Sequence, residues 1–155
     1  MKTATQWFNE YEVSHQNKTN KIIHYFCVPA IFFSVIGLLM SIPPSFLTSL
    51  KLYNPLIENW AFVIGIFIAV VFYLPLQFWY FLQMLLIILV SIVLNFWISN
   101  HYNLPLIATT IFIIAWIAQF YGHKIEGKKP SFFKDLQFLL IGPLWVIQKI
   151  TNKNS

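Results

Sequence analysis

Trp116-Ile-Ala-Gln119-Phe120-Tyr-Gly122-His123-Lys124-Ile-Glu126-Gly-Lys128-Lys129-Pro130 is the stretch on which the reading of this chain turns. It runs from inside an apolar segment out to a basic end. On a helix, Trp116, Gln119, Phe120, His123 and Glu126 recur at three- and four-residue steps and share one face. That face sets an amide, an imidazole and a carboxylate in line where a membrane helix would leave the bilayer. Ionisable groups at that depth are costly and tend to be kept for function. The pattern reads as half of a metal site. The other half is expected near the amino terminus, where Tyr11, His15, Asn17, Asn20 and His24 cluster.

The rest of the composition points the same way. The 155 residues suit one domain, taken here as a single integral membrane domain over residues 1–155. A hydrophobic fraction of 58%, only 10% charged residues and a mean hydropathy of +0.67 leave too little polar surface to cover a soluble core. An all-α polytopic membrane protein is therefore expected. The net charge of +5 comes from sparse basic residues, mostly towards the two ends. They form no basic stripe, which argues against nucleic acid and for the anionic face of a lipid bilayer. Cys27 is the sole cysteine, which excludes a disulfide framework and a thiolate metal cluster and suits a small buried apolar side chain. The first twenty residues are polar and amphipathic, so no cleaved leader is expected, and the carboxyl end shows no lipidation or retention signal.

Residues 3–16 read as a short interfacial helix, with Trp7 and Tyr11 as headgroup-level anchors. From Ile22 to about Ile42 the chain is apolar and uncharged, long enough for a first membrane span. Pro29 falls inside it and should kink the axis, and Pro43-Pro44 ends it. Ser45 to Asn59 reads as an exposed loop. Trp60 to Ser99 carries no charge and is too long for one span, so Pro75 is expected to mark a hairpin between two helices, with Gln77 and Gln83 as interhelical hydrogen-bonding groups. Asn100 to Asn103 is a turn, and a fourth span runs from Pro105 to about Tyr121. Ser131 to Ile150 has an apolar run too short to cross and reads as an interfacial or dipping helix. Lys18 and Lys21 precede the first span, while Lys124, Lys128, Lys129 and Lys134 follow the last. The positive-inside rule then puts both termini in the cytoplasm, which an even number of spans satisfies. His15, His24 and His123 fall on one side.

Three or four imidazoles with a carboxylate suit iron(II), zinc or copper. His123 and Glu126, three apart on a helix, can both reach one ion. Glu126 can equally serve as an acceptor that fixes the His123 tautomer. Against these stands the plainer role of a membrane histidine as a helix–helix hydrogen-bond partner. No zinc-peptidase motif, nucleophile elbow, phosphate loop or dinucleotide fingerprint occurs. Ser34, Ser41 and Ser91 have no paired base in sequence, so nucleophilic catalysis is not expected.

Over nearly its whole length the chain resembles the membrane proteins typified by the fungal 2-hydroxy fatty acid dioxygenase of fatty-acid α-oxidation. The resemblance is carried by His15-x-Asn17-x-x-Asn20-x-x-x-His24-x4-Pro29 and by Trp116-x-x-Gln119-Phe120-x-Gly122-His123 with Glu126 and Pro130. Leu94-Asn95 followed by His101 is a weaker match, and Pro143 falls where the family has a proline. Glu126 and Pro130 each lie one residue nearer His123 than in the fungal form, which leaves the part of Glu126 open. What the resemblance implies is an iron(II)-dependent dioxygenase that shortens a 2-hydroxy long-chain fatty acid by one carbon with molecular oxygen. It would hold Fe(2+) through His15, His24, His123 and His101, with Glu126 catalytic and Asn20, Gln119 and Lys124 about the substrate; Lys128 is a further candidate to meet the substrate carboxylate. The topology above places His101 across the membrane from the other three histidines, unless the uncharged stretch is re-entrant. The rival reading is a non-catalytic membrane module, such as a lipid-binding scaffold or a small transporter subunit. The Ile, Phe, Lys and Asn richness points to a bacterial cytoplasmic membrane rather than the endoplasmic reticulum.

Overall fold

A computed structural model describes residues 2–49, 51, 53–127 and 132–151, with backbone alone over 132–136. Helices are the sole regular elements among the described residues. An amino-terminal helix, Ala4–Val13, is started by a reciprocal cap in which Thr3 and Gln6 satisfy each other's backbone N–H groups. The first long helix, Lys18–Met40, begins four residues before the apolar run. Hydropathy marks where the membrane would start, whereas the helix starts where Asn17 Oδ1 accepts from Thr19 N at 2.9 Å. Pro29 sits inside this helix, as expected.

The loop after Pro43-Pro44 contains one short turn of helix, Ser45–Thr48. Trp60–Leu76 follows, capped by Asn59 Oδ1 on Phe62 N. Pro75 has no N–H to return to the preceding turn. The helix widens just before it into a π segment, Ala69–Tyr73, with Leu74 N–H reaching back five residues to Ala69 O. The chain then breaks at Gln77, two residues beyond the expected proline, in extended backbone. Phe78–His101 and Leu104–Glu126 are the next two helices, the latter running five residues past the expected Tyr121. Phe132–Thr151 closes the described chain and carries Pro143 in its interior.

Lys18–Met40, Phe78–His101 and Leu104–Glu126 are long and apolar enough to cross a membrane, and Trp60–Leu76 is a shorter apolar helix. The chain is a polytopic all-helical membrane protein. Its contacts sort into two compact units, residues 1–32 with 111–155 and residues 33–110. In the second unit Asn95 is fully buried and donates through Nδ2 to Ser91 O at 2.9 Å and Phe33 O at 3.2 Å. Gly37 lies against it: a methyl group there would meet the Asn95 side-chain oxygen at 2.5 Å and Ala108 at 3.1 Å. In the first unit Tyr11, Val28, Trp145 and Val146 form a buried cluster, with Phe8, Tyr25 and Phe138 packed on it. Residues 141–146 are all buried, so that helix is enclosed on every side over those six positions.

The close approach at Gly37 yields a stability test. Gly37→Ala should destabilise the protein by about 1–3 kcal/mol through overpacking, seen as a lower midpoint of thermal unfolding in detergent. An unchanged midpoint would mean the helices have room that the Asn95 contact denies them.

Candidate metal centre

The first unit brings together three imidazoles that are far apart in sequence. His15 lies in the connection after the amino-terminal helix, His24 in the second turn of Lys18–Met40, and His123 in the last turn of Leu104–Glu126. All three are buried. Ring centroids are 4.2 Å apart for His15 and His24, 5.0 Å for His24 and His123, and 5.5 Å for His15 and His123. One ring nitrogen from each lies within 4.8 Å of the others. Nitrogens sharing one ion at about 2.1 Å can be at most about 4.2 Å apart, so small ring rotations suffice to share a cation.

The tautomers favour the same use. His15 Nδ1 donates to Tyr11 O at 2.6 Å and His24 Nδ1 donates to Asn20 O at 2.9 Å. Both bonds reach back four residues and leave Nε2 as the lone-pair nitrogen of each ring. His15 Nε2 is buried with no hydrogen-bond partner. An orphaned acceptor of that kind costs about 1–3 kcal/mol if nothing meets it. Burial pushes the His15 imidazole down to about 4, against the opposing pull of its bond to the Tyr11 carbonyl and with a smaller push from His123. It is therefore neutral near pH 7, the form that binds metal. The donor set is nitrogen-rich and lacks thiolate, which fits iron(II), zinc or copper.

Three features hold the rings in place. Tyr11 stacks on His15 with centroids 4.1 Å apart and planes 4° from parallel, and Trp145 packs on both rings. Glu126 clamps the connection that carries His15: Oε1 accepts from Gln16 N at 2.8 Å, and Oε2 accepts from Asn17 N at 2.9 Å and Asn20 Nδ2 at 3.0 Å. This carboxylate also sits at the amino end of Lys18–Met40, where a negative charge is favoured by the helix dipole. Gly122 completes the set. A side-chain carbon there would collide with Asn20 Oδ1, so only glycine lets the two helices close around the clamp.

The expected site residues therefore fall in distinct places. Gln119 lines the cavity beside the three imidazoles, with Tyr11, Val28, Trp116, Phe138 and Leu139. Asn20 is buried behind it, its amide engaged with Ser14 O and Glu126. Lys124 is exposed at the helix end and takes no part in the cavity wall. His101 belongs to the other unit, is exposed, and bonds through Nδ1 to Trp97 O at 2.8 Å. It joins no group of three ligating side chains among the described residues. Lys128, Lys129 and Pro130, and the side chain of Lys134, lie outside the described residues. Phe120, expected on the histidine face, is half exposed. Tyr11, expected both at headgroup level and in the amino-terminal half of the site, stacks on His15. Its spacing of four from His15 is the sequence signal for that stacking. Trp145 had no comparable signal.

A family model described as 2-hydroxy-palmitic acid dioxygenase Mpo1-like matches residues 1–154, and the chain belongs to that family. No curated protein and no solved structure matches it.

The clamp predicts a specific loss. Glu126→Ala should weaken binding of zinc or cobalt(II) by about 10- to 100-fold, as removal of groups that orient metal ligands does, with Glu126→Gln intermediate because one acceptor survives. Metal titration of the purified protein reads this. Equal affinity in all three proteins would remove Glu126 from any part in arranging the rings.

Proposed function

We propose that this protein is an iron(II)-dependent dioxygenase that shortens 2-hydroxy long-chain fatty acids by one carbon. The observation that carries the proposal is the buried triad of His15, His24 and His123, with the His15 lone pair facing the others unpartnered. Family membership supplies the reaction class.

In this reading the three imidazoles hold the ion, and bound iron(II) supplies the redox chemistry with molecular oxygen. The backbone carbonyls of Tyr11 and Asn20 keep two of the rings in the correct tautomer. Glu126 acts by positioning, since both of its oxygens are engaged by Gln16, Asn17 and Asn20. Gln119 offers an amide to orient the substrate head, and Asn20 supports the clamp. Lys124 is assigned to attract the substrate carboxylate at the helix end. Val28, Trp116, Phe138 and Leu139 exclude water around the reacting atoms. We leave His101 outside the ligand set because its ring is exposed and joins no group of three ligating side chains among the described residues.

We also place the protein in a bacterial cytoplasmic membrane as one integral domain, with both termini cytoplasmic. The Glu126 clamp supports the shared side, because it ties the end of one candidate span to the start of another. Lys18, Lys21 and Lys124 lie at that same pair of helix ends, as the positive-inside rule requires.

The deciding experiment is iron analysis combined with a product assay. Wild-type protein should retain iron and convert 2-hydroxypalmitate to the acid one carbon shorter, whereas His24→Ala and His123→Ala should lose both iron and activity. Iron retained in both variants would contradict the assignment.

A further inference from the structure

Two hollows meet at Trp116. The first is the cavity among the imidazoles, about 20 Å³ in volume. That is room for about one water and too little for a carboxylate with its neighbouring hydroxyl. The second is an open hollow of about 350 Å³ on the Leu104–Glu126 helix, walled by Phe112, Ile113, Trp116, Ile117 and Phe120. Every wall is apolar, and Ile113, Ile117 and Phe120 are exposed on a segment suited to cross the membrane. This hollow therefore opens to hydrocarbon. Trp116 is part of both walls.

An apolar hollow on a spanning helix, taken alone, says only that lipid lies against it. A second observation separates this one from a lipid-facing groove: the Trp116 indole N–H is buried and has no acceptor. Buried indole donors normally find a partner. The residue dividing a polar chamber from a greasy trough thus carries an unused donor. A molecule with an oxygen-bearing head and a hydrocarbon chain satisfies both requirements at once. Trp116 also has the open hollow behind it, so it has space to move when the small chamber admits a head group.

Building on the substrate class assigned above, we propose that Trp116 is the substrate-recognition residue, its N–H donating to a head-group oxygen and its ring directing the acyl chain into the 112–120 trough. Gln119 and Phe112 are seven residues apart, about 10 Å along the helix. The trough therefore grips the head-proximal part of a long chain and leaves the rest in the bilayer. Affinity should rise with chain length and then level off.

The test needs no turnover. Zinc-loaded protein in nanodiscs is exposed to 2-hydroxypalmitate bearing a photoactivatable diazirine in the first half of its chain, and the labelled peptide is mapped. Label should fall within residues 112–120 and be competed by unlabelled 2-hydroxypalmitate but not by added phospholipid. Trp116→Phe keeps the ring and loses the N–H. It should retain its zinc and the label position while needing about tenfold more probe for half-maximal labelling, as loss of a charge-assisted hydrogen bond implies. Label elsewhere in the wild type, or unchanged half-saturation in Trp116→Phe, would overturn the proposal. The two readings fail separately. Label in the trough without acid shortening by the iron form removes the dioxygenase assignment and keeps this site; shortening with label elsewhere does the reverse.

Discussion

The buried cluster of His15, His24 and His123, in which the Nε2 lone pair of His15 has no partner, is the constraint on which the rest of the first unit depends. Burial keeps His15 neutral, and the backbone carbonyls occupy Nδ1 of His15 and His24. Left to itself, the arrangement holds the His15 lone pair unpartnered beside two further rings, in a place water barely reaches. A divalent cation would give that lone pair its partner. The energetic cost of building the cluster is then recovered on binding, which is the usual logic of a metal site that is preorganised and buried.

Such a cluster is held together by parts distant in sequence. Glu126 spans more than a hundred residues to take the backbone N–H groups of Gln16 and Asn17. Through them it fixes the short connection from which His15 projects. Gly122 lets the helix carrying His123 come close enough for that grip, and Asn20 fills the gap. Tyr11 and Trp145 seal the far side of His15. The site is thus placed by a clamp and a stacked wall, and the ligating rings follow. Trp116 adds a connection outwards, from the polar chamber to the lipid-facing surface.

How much of this was legible in the sequence depends on which physical signal each feature leaves. The apolar runs around Ile31, Ile88 and Ala108 declared spanning helices, because the bilayer imposes length and composition directly. The spacing of Trp116, Gln119, His123 and Glu126 announced a shared face, and the buried pair Gln119 and His123 lies on it. Phe120, four residues after Trp116, stands at the edge of that face and is half exposed. Helix starts were displaced as well, since Asn17 caps a helix that hydropathy dates only from Ile22. The break at Gln77 rather than Pro75 reflects a π segment, which absorbs the missing proline donor and delays the turn. Least legible was the part played by Glu126. Its partners are mainly backbone N–H groups, which every residue but proline carries and which no motif records.

X-ray absorption at the iron edge of the reconstituted protein addresses the central claim most directly. It should show one ion with the scattering signature of three imidazoles, their nitrogens at about 2.1 Å. Iron that binds without imidazole scattering, or a protein that takes up none, would contradict the account.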